Sequence, residues 1–121
     1  MIGMLPENIL SSLLETIPLE FSVLDSNDKV VGWNKHETRF FKRPLEVVGR
    51  DVWNCHPKNS LAKVEQILSE MKEGKRDNAR FWIDLPLDGE SEKHKILIEY
   101  FALRDECGNY PGYYGYSEAF R

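Results

Sequence analysis

The sequence has few cysteines and no long apolar run. Its two cysteines, Cys55 and Cys107, are too few for the disulfide framework of a small secreted protein, so we expect free thiols in a reducing compartment. Apolar runs extend over only a few residues, which argues against a transmembrane helix. Residues 1–6 lack the basic region and the apolar core of a signal peptide. These absences predict a cytoplasmic protein with no membrane partner.

Basic residues are also fewer than acidic ones. Sixteen Lys and Arg residues stand against twenty Asp and Glu residues, which gives a formal net charge of −4. A broad electrostatic attraction to nucleic acid or anionic lipid is therefore not expected, and we predict no nucleic-acid partner. A chain of 121 residues can bury one core but not two, so the sequence predicts a single domain over residues 1–121.

Aromatic residues, by contrast, are plentiful: three Trp, five Tyr and six Phe. Several of them fall close together between Tyr110 and Phe120. Large rings can fill a core, line a pocket or form an interface, and composition alone does not separate these uses.

The hydrophobic spacing predicts helices and strands in a definite order. Apolar residues at helical spacing predict a helix over about residues 6–17 and a longer one from Asn59 or Ser60 to Gly74. Leu19, Phe21 and Val23 alternate with Glu20 and Ser22, the period-two pattern of a strand with one buried, apolar face, which predicts a hairpin over residues 19–34. Short helical pieces follow over residues 35–58. The remaining three strands are expected at residues 79–85, 95–104 and 110–120. The three late strands can form an antiparallel meander that the first two join, which predicts an α+β fold with helices on one face.

Both faces of the late strands carry apolar side chains. Phe81 and Ile83 share one face of their strand, whereas Trp82 points the other way. In the next strand Tyr100 lies on one face and Phe101 on the other. Strands with two apolar faces usually have a second covering layer, and we expect that layer to be a second subunit or the N-terminal helix. The pattern thus predicts a homodimer.

The element order and several local motifs resemble a PAS domain. These motifs are Leu24-Asp25 with Asp28-Lys29-Val30, then Trp33-Asn34, then Val47-Val48-Gly49-Arg50, and finally residues 104–110 as the last hairpin. A narrower stretch, residues 48–57, contains Asn54-Cys55-His56-Pro57. This stretch is similar to a PAS subfamily that is often found C-terminal to hemerythrin-like domains.

The resemblance implies a five-stranded antiparallel sheet with helices packed on one face, a PAS core over about residues 19–120 and a helix before it. It implies a stand-alone sensory or protein-interaction module rather than an enzyme. A small ligand, a flavin or a haem would bind between sheet and helices. Signalling would occur in trans through dimer or partner contacts, at the outer face of the sheet or the N-terminal helix. The implied pocket is lined by Phe41, Trp53, Cys55, His56, Phe81, Ile83 and Tyr100.

The Cys55-His56-Pro57 run is the sharpest local feature. In the implied fold His56 borders the pocket, where it would ligate haem iron or hydrogen-bond a polar ligand. The structural alternative is a buried histidine that braces the loop before the long helix. The first alternative to a general sensory module is therefore a haem- or redox-binding sensor that uses His56 with Cys55 nearby.

Catalysis and zinc binding have weaker support. Cys55 would need a base and an oxyanion site to act as a nucleophile, and His56, its neighbour in sequence, points the opposite way in an extended strand. A small α+β pocket enzyme is the second alternative, with His56 as its lone base. The potential zinc ligands are scattered along the chain, so we expect no metal other than haem iron on His56. They are His36, Cys55, His56, His94 and Cys107.

Overall fold

The structure, a computed structural model, describes residues 1–35, 61–86 and 93–120. Within these ranges the chain forms two helices and five strands. In chain order they are α1 (Glu7–Thr16), β1 (Glu20–Asp25), β2 (Val30–Trp33), α2 (Leu61–Lys72), β3 (Asn78–Pro86), β4 (Lys93–Leu103) and β5 (Gly112–Phe120). The strands form one antiparallel sheet in the order β2-β1-β5-β4-β3, which confirms the expected fold class. The short helices expected over residues 35–58 lie almost wholly outside the described residues.

The middle of the sheet joins the two ends of the chain. β1 pairs with β5 from Glu20↔Ser117 to Asp25↔Gly112, without a register shift. β5 in turn pairs with β4, and β4 pairs with β3 at the opposite edge. The N-terminal hairpin is therefore an extension of the C-terminal meander rather than a separate layer.

Two hairpin turns are organised in the same way by an aspartate. Asp25 Oδ1 accepts hydrogen bonds from the backbone N–H groups of Asn27 (2.9 Å) and Lys29 (3.0 Å). In the β4–β5 hairpin, Asp105 Oδ1 accepts from the N–H groups of Cys107 (3.0 Å) and Asn109 (2.8 Å). Short acidic side chains stabilise turns in this way because they satisfy N–H groups that the strands leave unpaired.

α2 packs on one side of the sheet, which we call the inner face. Its buried side chains recur at helical spacing, as the sequence predicts, and the helix ends where Gly74 adopts φ +77°. Together with the strands it forms one apolar cluster. The cluster contains Val64, Ile67, Leu68 and Met71 from α2, and Leu24, Val30, Ala79, Phe81, Tyr100 and Tyr113 from or beside the strands.

The buried side of β1 is the reverse of what its alternation indicates. Glu20, Ser22 and Leu24 are buried on the inner face, whereas Phe21 and Val23 are half-buried on the other side, the outer face. The physical reason is the register with β5, which sets Val23 opposite Tyr114 on the outer face. Apolar side chains can therefore lie on the outer face, because a neighbouring ring shelters them.

α1 carries an apolar side that the described residues do not cover. None of its residues is buried, and four large apolar side chains are 38–51% exposed. They are Ile9, Leu10, Leu13 and Leu14. Neither described helix is both long enough and apolar enough to cross a membrane.

The end of α1 is fixed to the start of the sheet by Asn34. The Asn34 side chain is almost fully buried, and its Nδ2 donates to the carbonyl oxygens of Leu14 (2.9 Å) and Leu19 (2.8 Å). Its Oδ1 accepts from the N–H of Phe21 at 2.8 Å. The helix is thus held at its C-terminal end while its apolar side stays accessible.

Candidate functional site

Tyr100 lies at the centre of the inner face. Its ring centroid is 5.5 Å from that of Phe81 in an edge-to-face arrangement, and 5.2 Å from that of Tyr113. All three rings are buried. Such ring contacts stabilise a core by more than the burial of apolar area alone, and they fix the orientation of the rings.

The space that the Tyr100 ring occupies is created by Gly115 on the neighbouring strand. Tyr100 and Gly115 are paired in the β4–β5 register. A Cβ atom on Gly115 would lie 2.7 Å from both Cδ1 and Cε1 of the ring, which is closer than real Cβ contacts. The absence of a side chain at this position therefore determines where the ring can lie.

The structure brings together two of the seven predicted pocket residues, Phe81 and Tyr100. Ile83 belongs to β3 and is paired with Ile96, but its side chain is not described. The other four predicted residues lie outside the described residues. They are Phe41, Trp53, Cys55 and His56.

The edge of the inner face near Phe81 carries a positive charge. Lys63 of α2 places Nζ 4.7 Å from the centroid of the Phe81 ring, within the range of a cation–π interaction. The lysine therefore lies beside the predicted pocket rather than within the apolar cluster.

Polar side chains on the inner face are the functional candidates that the sequence analysis missed. Glu20 and Ser22 are each only 6% exposed, and Ser117 is paired with Glu20 across the strands. A carboxylate accepts hydrogen bonds and a hydroxyl both donates and accepts them, so these side chains can bind a polar ligand group. The sequence pattern that could have identified Glu20 and Ser22 is their spacing of two residues from Leu24, because alternate residues of a strand share one face.

A second polar group lies at the far end of the inner face, where α2 ends. Lys72 Nζ forms an ion pair with Asp28 Oδ2 at 2.7 Å. Arg104 donates from Nη2 to the carbonyl oxygen of Met71 (2.7 Å), and it lies 3.3 Å from Asp77 Oδ1. The cations thereby neutralise the negative end of the helix dipole, and they link α2 to both hairpins.

The outer face carries a row of stacked rings. Phe101 lies between Tyr114 and Tyr116, with centroid distances of 5.2 Å and 6.1 Å and nearly parallel planes. Trp82 is 51% exposed on the same face, as its position in the strand predicts. Val31 at the edge strand is similarly exposed.

A buried carboxylate lies within this row. Glu99 is 4% exposed, and it accepts hydrogen bonds from Tyr116 Oη and, at 3.2 Å, from Arg80 Nη2. The hydrogen bond to Glu99 is the main reason that the pKa of Tyr116 is raised to about 12. The outer face therefore combines a row of aromatic rings with one buried carboxylate, whose ion-pair partner Arg80 is exposed.

Among the described residues, no group of three or more His, Cys, Asp or Glu side chains is placed to hold a metal ion. Cys107 is a free and exposed thiol in the β4–β5 turn.

A family profile described as a PAS domain matches residues 10–117. The chain belongs to the PAS domain family. Solved structures share the fold: a C-terminal domain from Streptococcus mutans superposes with a TM-score of 0.81 at 27% identity, covering 98% of this chain and 88% of that one. The PAS domain of Bordetella pertussis BvgS has a TM-score of 0.72 at 16% identity, with 94% and 85% covered. Among curated proteins, no sequence matches this PAS domain.

A third similar structure is a Vibrio cholerae VqmA dimer determined in the absence of its target DNA. It has a TM-score of 0.69 at 18% identity, and the match covers 97% of this PAS domain but only 53% of that chain. VqmA has also been solved bound to DPO. These matches support the PAS family and its fold, while membership of the hemerythrin-associated subfamily stays a prediction.

Proposed function

We propose that this PAS domain binds a small molecule between the inner face and its helices and passes the signal on in trans, through a homodimer or a protein partner. PAS domains are sensory modules of the kind found in sensor kinases, and they are typically not catalytic. We therefore propose no catalytic role for this one.

The observation that carries the signalling part of the proposal is the uncovered side of α1. Its four large apolar side chains are 38–51% exposed although the helix end is fixed by Asn34. Leaving such side chains in water forgoes roughly 25 cal/mol for each Å² of apolar surface. A second copy of this domain that covers this side would recover that free energy, and VqmA, a protein of similar fold, is a dimer.

The inner face supports the ligand part of the proposal. Buried polar side chains at Glu20 and Ser22 lie on the same face as the aromatic ring of Tyr100. Small-molecule sites combine apolar walls with a few polar groups in this manner. VqmA, part of whose chain has a similar fold, has been solved bound to DPO.

Native mass spectrometry tests both parts at once, because it reports subunit number and the mass of any retained molecule. We expect a dimer at micromolar concentration that carries additional small-molecule mass. Leu13→Glu should dissociate the dimer, whereas Ser12→Glu, on the same helix, is the matched control and should not. A bare monomer for the unaltered protein would contradict both parts of the proposal.

The haem alternative rests on His56 and Cys55, which lie outside the described residues. Its test is the absorption spectrum of the protein with and without added haemin. A sharp Soret band that His56→Ala abolishes would support a haem sensor, and a featureless spectrum would refute it.

A further inference from the structure

A buried acceptor atom lies at the turn between β1 and β2. The Asp28 side chain is 9% exposed, and its Oδ2 is 2.7 Å from Lys72 Nζ. The other oxygen, Oδ1, is fully buried and accepts no hydrogen bond from any residue that the structure describes. A buried carboxylate oxygen without a partner is unfavourable, because it has given up its hydration without replacement.

A buried donor atom lies in the β4–β5 connection. Tyr110 Oη is buried and, within the described ranges, donates to no protein group. The Tyr110 ring is held by Arg104, whose Cζ is 5.2 Å from the ring centroid, and Arg104 also binds the carbonyl oxygen of Met71. Because Met71 precedes Lys72, Tyr110 and Asp28 lie at the same end of α2.

From this shared end of α2, the negative charge of Asp28 acts on the Tyr110 phenol. Burial, and then the negative charge of Asp28, raise the pKa of Tyr110 to about 12. The phenol is therefore protonated at neutral pH and is available as a donor. No direct hydrogen bond joins the two oxygens.

We propose that one internal water molecule joins Tyr110 Oη to Asp28 Oδ1. It accepts the phenol proton and donates to the carboxylate, so that both buried atoms are satisfied at once. The water connects the β4–β5 hairpin with the β1–β2 turn and, through the Asp28–Lys72 ion pair, with the last turn of α2. This site is independent of the proposed ligand site, which lies around Tyr100.

A crystal structure at a resolution of about 1.6 Å tests the site directly. We expect density for a water within roughly 2.6–3.2 Å of both atoms. A direct bond between Tyr110 and Asp28, or the absence of water density between them, would overturn the proposal.

Urea denaturation tests the same site in solution. Tyr110→Phe removes the donor, and we expect it to raise the unfolding equilibrium constant about tenfold. Tyr114→Phe is the matched control on the outer face and should change that constant less than about threefold. Equal effects of the two variants would also overturn the proposal.

Discussion

Substituting Gly115 by alanine tests whether the Tyr100 ring is held where the inner face requires it. The new Cβ would lie 2.7 Å from two ring carbons, whereas ordinary contact begins at 3.4 Å. The ring must therefore move by roughly 0.7 Å, the difference of these two distances. Phe81 and Tyr113 flank the ring and are themselves buried, so little space is left for the movement.

The expected loss of stability follows from the known effect of overpacking a closed core. Forcing atoms into a well-packed site costs about 1–3 kcal/mol, and we take about 2 kcal/mol because two ring carbons are displaced together. Replacing glycine in a strand would otherwise stabilise it by about 0.5–1 kcal/mol, so the net loss is about 1–1.5 kcal/mol. That loss corresponds to roughly a tenfold larger unfolding constant.

Urea denaturation of four variants isolates the contact. Gly32→Ala is the matched control, because Gly32 also lies in a strand and a Cβ there meets no atom within 4 Å, so we expect it to stabilise the protein by about 0.5–1 kcal/mol. In a Tyr100→Leu background the ring carbons are gone, so Gly115→Ala should lower the free energy of unfolding much less than it does with Tyr100 present. The reasoning fails if Gly115→Ala lowers the free energy of unfolding no more than Gly32→Ala does, or lowers it equally with and without the Tyr100 ring.

Two further predictions concern pH. Hydrogen bonds from Asn109 hold the pKa of Asp105 below its ordinary value, so the charged carboxylate stabilises the fold above about pH 4 and the stabilisation is lost as pH falls through the lowered pKa. Asp105→Asn should therefore destabilise the protein at pH 7 but much less at pH 3, and an equal loss at both would contradict this. The raised pKa of Tyr116, about 12, stabilises the fold below about pH 10 and ceases to do so as pH rises toward 12. Glu99→Gln should move this pKa toward 10 in an NMR titration of labelled tyrosine, and an unchanged pKa would refute the assigned cause.

Local periodicity was sufficient to predict the elements and most of their faces. The alternation in β3 places Phe81 and Trp82 on opposite faces, and that in β4 separates Tyr100 from Phe101, because side chains in a strand change sides at each residue. The α2 stripe follows from helical spacing in the same way. The prediction of which face of β1 is buried was wrong, because rings on the outer face shelter Val23. The alternation within one strand carries no information about a neighbouring strand.

The arrangement of the site depended on long-range pairing that no local pattern contains. That Gly115 lies beneath Tyr100 follows only from the β4–β5 register. The ion pair of Lys72 with Asp28 likewise joins residues from different halves of the chain. Glu20 was missed for a simpler reason, since a glutamate in a half-apolar strand is ordinarily expected to face water.

The pairing of β1 with β5 also bears on how the protein folds. Glu20 lies opposite Ser117, so the sheet is completed only by strands from opposite ends of the chain. Closing so long a loop is entropically costly and slows folding, whereas the β3–β4–β5 meander requires only nearer contacts. During synthesis the N-terminal hairpin therefore emerges from the ribosome well before its partner strand. Until β5 follows, the β1 edge that it will cover has exposed backbone groups that can pair wrongly.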